Sequence, residues 1–282
     1  MSEPLPDFRL LRVASIDEAV SVLASDPGAR LLAGGTDLVT NLRHGLVETR
    51  TLIDLGGVDE LGVVEETDAG LTIGCGVTLR ELAETAEIAQ DFNAVAQAAV
   101  SIAGPAHREA GTLGGNLCLD TRCLYYNQSH WWRKSNDYCL KYRGTICHVA
   151  PRGKLCHAAY CGDLAPALMV HGAEVTIAGP SGRRRISLAG LFGEDGMDYL
   201  TLGAGEMLVA LHLPRGPVRS EYEKLRVRGS IDFPLAGVAV AQASATGGLK
   251  LAFTGIGPKP VLIETLPRPR RDGARDPFLA DL

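Results

Sequence analysis

Short apolar runs bounded by glycine alternate along this chain with segments whose apolar positions recur at helical spacing. Ser15, Ile16, Asp17 and Glu18 read as a capping box, which predicts an amphipathic helix through Leu23. "ARLLAGGTDL" predicts a short strand, a glycine turn and a new helix from Asp37. "TLIDLGG" (51–57) predicts another short strand ended by glycines, closing a compact N-terminal unit near residue 60. Leu71 to Val77 reads as a buried strand. Thr78 and Glu81 then form a second capping box, which starts a helix near Leu79. Ala94 to Ile102 predicts a helix stopped by Gly104 and Pro105. "DLAPALMVHGA" predicts a helix ending at Gly172, "AEVTIAGP" and "MLVALHLP" predict strands, and "GVAVAQASATGGLKLAFTGIG" predicts a hairpin around Gly247 and Gly248. The tail "RPRRDGARDPFLADL" reads as poorly ordered.

The order of elements has no regular βαβ rhythm, so α+β is expected rather than a doubly wound sheet. Three parts follow: 1–60, 61–215 and 216–282. A net charge of −5 removes the motive for nucleic acid or anionic membrane as the main partner. No apolar run is long enough to span a membrane. The opening "MSEPLPDFRLLRVAS" lacks a basic segment followed by an apolar stretch, so it does not read as a secretory signal. The chain is expected to be cytoplasmic, where thiols stay reduced and clustered cysteines favour metal over disulfides.

Two glycine turns carry candidate chemistry: Ala33-Gly34-Gly35-Thr36-Asp37 and Gly111-Thr112-Leu113-Gly114-Gly115-Asn116. A strand that runs into paired glycines and then a helix exposes backbone N–H groups in one concavity, and the helix start adds positive potential. Neither turn is GxGxxG or a Walker loop. Each alone also reads as a tight structural turn; two of them, each with a hydroxyl residue, point to a nucleotide diphosphate clamp.

Six of the seven cysteines lie between Cys118 and Cys161, and Cys75 stands far upstream. No CxxC occurs, which argues against a zinc ribbon and the compact ferredoxin run. Spacings of 15, 7 and 8 residues separate Cys123, Cys139, Cys147 and Cys156. An iron–sulfur cube accepts such spacing because each iron needs one thiolate and the loops between are free. The segment between has no clear period, so ligation at four points would replace a missing core. Trp131, Trp132, Tyr125, Tyr126 and Tyr138 are expected to screen such a cluster, and nearby Lys and Arg to offset its charge. Buried free cysteines, or zinc held with His130, His148 or His157, are the other readings.

"LLAGGTDLVTNLR", "AGTLGGNL", "GDLAPALMVHGAEV" and "YEKLRVRGSIDFPLAGVAVA" resemble the FAD-binding subunits of the molybdenum hydroxylase (xanthine dehydrogenase) family over nearly the whole chain. The roughly 40-residue insertion at about 119–160 resembles the β subunits of 4-hydroxybenzoyl-CoA reductases. The resemblance implies a two-part FAD-binding domain with an iron–sulfur loop insertion and a small C-terminal α+β domain. It implies FAD contacts from Leu32, Ala33, Gly34, Gly35, Thr36 and Asp37, and from Thr112, Gly114, Gly115 and Asn116. It also implies [4Fe–4S] ligation by Cys123, Cys139, Cys147 and Cys156, leaving Cys118 and Cys161 to the flanking fold. Asp163 would reach toward the flavin, or simply cap the following helix; Lys224 would lie near the flavin, or be a solvated charge. After Gly229 the chain is short for the family, so a partner is expected to cover part of this region.

The resemblance implies an electron relay with no catalytic residue of its own, the chemistry being the cofactors'. The expected partners are a molybdenum-cofactor large subunit, a [2Fe–2S] small subunit and a ferredoxin-type carrier. The expected direction runs from ferredoxin toward molybdenum, in the reduction of an aromatic CoA thioester. Outward flow from a hydroxylase or dehydrogenase to ferredoxin or NAD is the alternative. A zinc-stabilised interaction module without redox activity is the alternative of another class.

Overall fold

The structure, a computed structural model, describes residues 5–215, 219–242 and 248–266. The expected turn at Gly247 and the tail after Leu266 lie outside the described residues.

The N-terminal part holds β1 (Arg9–Arg12), α1 (Ile16–Ser25), β2 (Arg30–Leu32), α2 (Leu38–Arg43) and β3 (Thr51–Asp54). Its three strands form a parallel sheet in the order β1-β3-β2. Ser15 caps α1 by accepting from the Glu18 N–H, while the Glu18 carboxylate accepts from the Ala14 N–H. This satisfies two donors that a helix start leaves open. Ile16, Ala19 and Val20 turn one face of α1 into the core.

The middle part contains β4 (Val64–Thr67), β5 (Gly70–Gly74), α3 (Leu79–Glu84), α4 (Ala86–Asp91), α5 (Asn93–Ser101), α6 (Pro105–Ala110) and α7 (Leu113–Leu117). It continues through α8 (His130–Ser135), α9 (Leu164–Met169), β6 (Glu174–Gly179), β7 (Gly182–Ser187) and β8 (Met207–Pro214). The sheet runs β4-β5-β8-β6-β7, antiparallel throughout. The expected capping box at Thr78 forms with both of its hydrogen bonds. Pro105 does not only stop α5: it opens α6, where its missing N–H costs nothing. All six residues of α9 are buried, so this helix is apolar all round and fills the centre.

The C-terminal part is β9 (Arg219–Leu225), β10 (Ala236–Gln242), β11 (Leu249–Thr254) and β12 (Val261–Leu266), an antiparallel sheet in the order β12-β11-β10-β9. β10 and β11 pair as the expected hairpin arms. The expected α+β character of this part is corrected. Among its described residues it holds no α-helix, and the helices that cover it, α5 and α9, come from the middle part. Small buried residues, Ala239, Ala241 and Ala252, let those helices approach closely. One apolar core runs from Val13 to Ala252 through all three parts. Among the described residues only the first sheet is parallel, in keeping with α+β. No helix among the described residues is long and apolar enough to cross a membrane.

His171, just beyond α9, is buried, its Nε2 3.0 Å from the Ser220 hydroxyl and its ring edge-on to Phe92. Burial, with Lys250 adding to it, pulls its pKa from 6.5 down to about 4. The unfolded chain therefore takes up a proton at this residue below about pH 6.5 that the folded chain refuses. Stability at this site is full above that pH and falls as pH drops toward 4, by on the order of 3 kcal/mol. Urea unfolding between pH 7.5 and pH 5 should show that His171→Asn loses part of the wild-type pH slope. An unchanged slope would mean that the imidazole does not titrate this way.

Candidate functional site

The two glycine turns, about 75 residues apart in sequence, meet backbone to backbone. A Cβ on Gly34 would stand 1.7 Å from the Ala110 carbonyl oxygen, so only glycine permits this approach. Gly35 follows at φ +69°, a left-handed conformation that turns the chain from β2 into α2.

Between the turns opens a cavity of about 1420 Å³, large for an ordinary small-molecule pocket. Of the expected contacts, Ala33, Gly34, Gly35, Thr36, Asp37, Thr112, Gly114, Gly115, Asn116 and Asp163 line it. Leu32 does not; it ends β2 and holds the turn through its register with Asp54. Lys224 does not line it either, but it reaches the cavity's edge through Asp163.

The two turns offer a ligand different things. Among the described residues, the N–H groups of Gly34, Gly35, Thr36 and Asp37 have no protein acceptor, leaving four donors open at the start of α2. In the second turn nearly every amide is committed. Leu113 donates to Val77, Gly114 to Cys75, Gly115 to the Thr112 hydroxyl and Asn116 to the Thr112 carbonyl, so the Thr112 N–H alone is left. Asn116 spends its Oδ1 on the Leu164 N–H at the start of α9. The first turn is therefore the one that can receive an anion, and the second closes the cavity against it.

Asp163 opens α9 yet makes no side-chain cap, which sets aside the capping alternative. Its carboxylate accepts from Tyr222 Oη at 2.7 Å and from Lys224 Nζ at 3.0 Å and 3.1 Å. The Asp163 and Lys224 side chains are each 4% exposed, so Lys224 is not a solvated charge. Burial raises the Asp163 pKa, while Lys224 and Tyr222 pull it back.

The insertion begins and ends at one neck, where Arg122 and Ala159 exchange two backbone hydrogen bonds of 2.7 Å. Beyond the neck, Cys123, Cys139, Cys147 and Cys156 all line a single small cavity, with Tyr125, Tyr126 and His148 among its other walls. Cys139, Cys147 and Cys156 are buried and all seven cysteines are free. The insertion has almost no apolar core of its own: Leu46 from outside it, Tyr126 and Cys139 form a separate small cluster. Cys75, Cys118 and Cys161 stand apart, in or against the main core and on the wall of the large cavity. Burial pushes the thiol of Cys118 up to about 12 and that of Cys161 to about 11, which keeps them unreactive.

Among the described residues, no three His, Cys, Asp or Glu side chains gather closely enough to hold one metal ion. A zinc site needs such convergence. A cubic cluster does not: each iron takes one thiolate, so four sulfurs stand apart around a shared volume. Here four cysteines line one cavity in a segment without a core of its own. Of the three histidines, His148 reaches this cavity and spends its Nε2 on the Tyr138 carbonyl at 2.5 Å. Of the expected aromatic screen, Tyr125 and Tyr126 line this cavity; Trp132 and Tyr138 do not, and Trp131 is 75% exposed. The segment also forms α8, capped by Ser129, where no helix was expected.

Tyr126 and Lys141 line both cavities and form a shared wall. Lys141 Nζ lies 4.7 Å from the Tyr126 ring and bonds Asp120 at 2.6 Å and the Gly196 carbonyl at 3.1 Å. Sequence reasoning placed Tyr126 only in the screen of a cluster and missed Lys141 and Arg122, because nothing local marks which distant group a side chain will reach.

A strand–glycine–helix cradle facing a second glycine turn defines a binding domain for a diphosphate-containing cofactor. The family model for the FAD binding domain in molybdopterin dehydrogenase matches residues 6–216, and the chain belongs to that family. It is 32% identical over 281 residues to the aldehyde oxidoreductase FAD-binding subunit PaoB of Escherichia coli (strain K12), covering 95% of this chain and 87% of that protein. It is 29% identical over 257 residues to the xanthine dehydrogenase FAD-binding subunit of Escherichia coli O157:H7, covering 89% and 74%. Among solved structures, a carbon monoxide dehydrogenase from Hydrogenophaga pseudoflava superposes with a TM-score of 0.75 at 23% identity, covering 95% of this chain and 83% of that one, a likeness of fold. The chain is thus an FAD-binding subunit of the molybdenum hydroxylase family.

Gly34→Ala should drive the two turns apart, costing roughly 1–3 kcal/mol and most of the bound flavin. Flavin absorbance and thermal unfolding read both effects. Lys224→Met should cost about 3–5 kcal/mol by leaving Asp163 buried without its cation. Because the lone carboxyl then takes a proton more readily, that loss should be smaller at pH 5 than at pH 8. A loss independent of pH would mean that the pair's charge is not what matters.

Proposed function

We propose that this chain is the flavin-bearing electron relay of a molybdenum hydroxylase or dehydrogenase complex, with a [4Fe–4S] cluster held in its insertion. The observation that carries this reading is the shared wall: the four-cysteine cavity and the glycine-cradled cavity meet at Tyr126 and Lys141. In this reading the open amides from Gly34 to Asp37 hold the FAD diphosphate, with Ala33, Thr112, Gly114, Gly115 and Asn116 shaping the site around it. Asp163, held by Lys224 and Tyr222, faces the cofactor from the opposite side in sequence. Cys123, Cys139, Cys147 and Cys156 each ligate one iron. A flavin exchanges electrons singly or in pairs and a cubic cluster singly, so together they join two-electron to one-electron chemistry.

The partners would be a molybdenum-cofactor large subunit and a [2Fe–2S] small subunit, in the cytoplasm. The names of the relatives, a xanthine dehydrogenase and an aldehyde oxidoreductase, favour outward flow of electrons to ferredoxin or NAD. The inward, thioester-reducing direction draws support from the likeness of the insertion alone, and is the weaker reading. Reduction of ferredoxin or NAD by the assembled complex with an oxidisable aldehyde or purine would support the outward direction. Reduction of 4-hydroxybenzoyl-CoA driven by reduced ferredoxin, without the former activity, would reverse it.

Anaerobic analysis should return about four irons, about four sulfides and one flavin per chain. Cys139→Ser should lose most of the iron and keep most of the flavin. Iron retained in that variant would show that Cys139 is not a ligand, and zinc in place of iron in the wild type would end the redox role of the insertion.

A further inference from the structure

The first glycine turn ends in Asp37, so a carboxylate lines the same cavity as the four open amides that suit an anion. Left to itself it would work against any diphosphate placed there. Burial already raises its pKa, which marks the cost of keeping it charged. Asn41 Nδ2 donates to Oδ2 at 2.8 Å and adds no net charge. The cation comes from the insertion. Arg122 crosses 85 residues of sequence to pair its Nη2 with Asp37 Oδ1, and its Nη1 reaches Asn41 Oδ1 at 3.3 Å. Its guanidinium lies 4.5 Å from the centre of the Phe233 ring, which also lines the cavity. Its backbone is the neck of the insertion, bonded both ways to Ala159, so the side chain is delivered from a fixed point.

We propose that Arg122 is a positioning residue for the flavin cofactor: it cancels the Asp37 carboxylate beside the glycine cradle, so that the cradle holds the FAD diphosphate. The insertion then completes the flavin site as well as building its own. This rests on the FAD reading of the large cavity and not on the cluster.

The test is FAD affinity of the full chain, stripped of flavin and titrated by flavin fluorescence. Arg122→Met should weaken FAD at least tenfold, because it leaves Asp37 facing the diphosphate uncancelled. Asp37→Asn keeps the backbone amide, removes the negative charge and leaves Arg122 uncompensated, so it should bind FAD at least as tightly as wild type; Asp37→Asn with Arg122→Met should recover to within about threefold of wild type, since nothing remains to cancel. Arg122→Lys should stay close to wild type. Should Arg122→Met not fold, the double variant must still fold and bind. A double variant as weak as Arg122→Met, or one that does not fold, overturns the proposal and makes Arg122 a direct contact or a strut of the neck. Wild-type affinity in Arg122→Met overturns it as well. A wild-type chain that takes up no FAD would instead overturn the flavin reading itself.

Discussion

The close approach of Gly34 to the Ala110 carbonyl is the constraint on which the rest depends. It brings the end of a strand in the N-terminal sheet against the turn between α6 and α7 at a distance that no side chain would allow. Everything that makes the large cavity a site follows from it. The amides of the first turn stay open because no carbonyl of the second turn accepts from them; the second turn's own amides donate to the Val77 and Cys75 carbonyls. Two similar glycine motifs therefore do unlike things, one presenting donors and the other closing a wall.

The third sheet is bound into this arrangement through charge. Lys224 and Tyr222 reach from β9 to Asp163 at the start of α9, the helix at the centre of the core. A fully buried pair of this kind is weak evidence of added stability, because desolvation offsets much of the attraction. Its effect is to fix one geometry. The carboxylate stays on the cavity wall, and β9 cannot slide without stranding it.

The insertion follows a different rule. Its residues barely form a core, and its order comes from polar ties: the Arg122–Ala159 neck, Lys141 on Asp120 and Gly196, and Arg133 on the carbonyls of His44 and Gly45 just past α2. Arg133 is buried with two guanidinium nitrogens lacking any partner, and its ring contact with Tyr142 at 4.3 Å offsets little of that cost. Such a segment has reason to rely on ligation to hold its shape.

Local chemistry was legible in the sequence alone. The caps at Ser15 and Thr78, the strand–glycine–helix character of the first turn and the all-apolar helix at Leu164–Met169 are all properties of neighbouring residues, and near-neighbour physics decides them, whereas the separation of four cysteines from the other three came from the family resemblance. Only the folded chain decided which glycine turn keeps its amides free, that Lys224 is buried rather than solvated, that the C-terminal sheet borrows its helices, that Arg122 pairs with Asp37, and that Tyr126 and Lys141 join the two cavities. Those outcomes depend on hydrogen bonds and charges between residues from 21 to 127 positions apart, and no periodicity or capping signal encodes which distant partner a polar group will find.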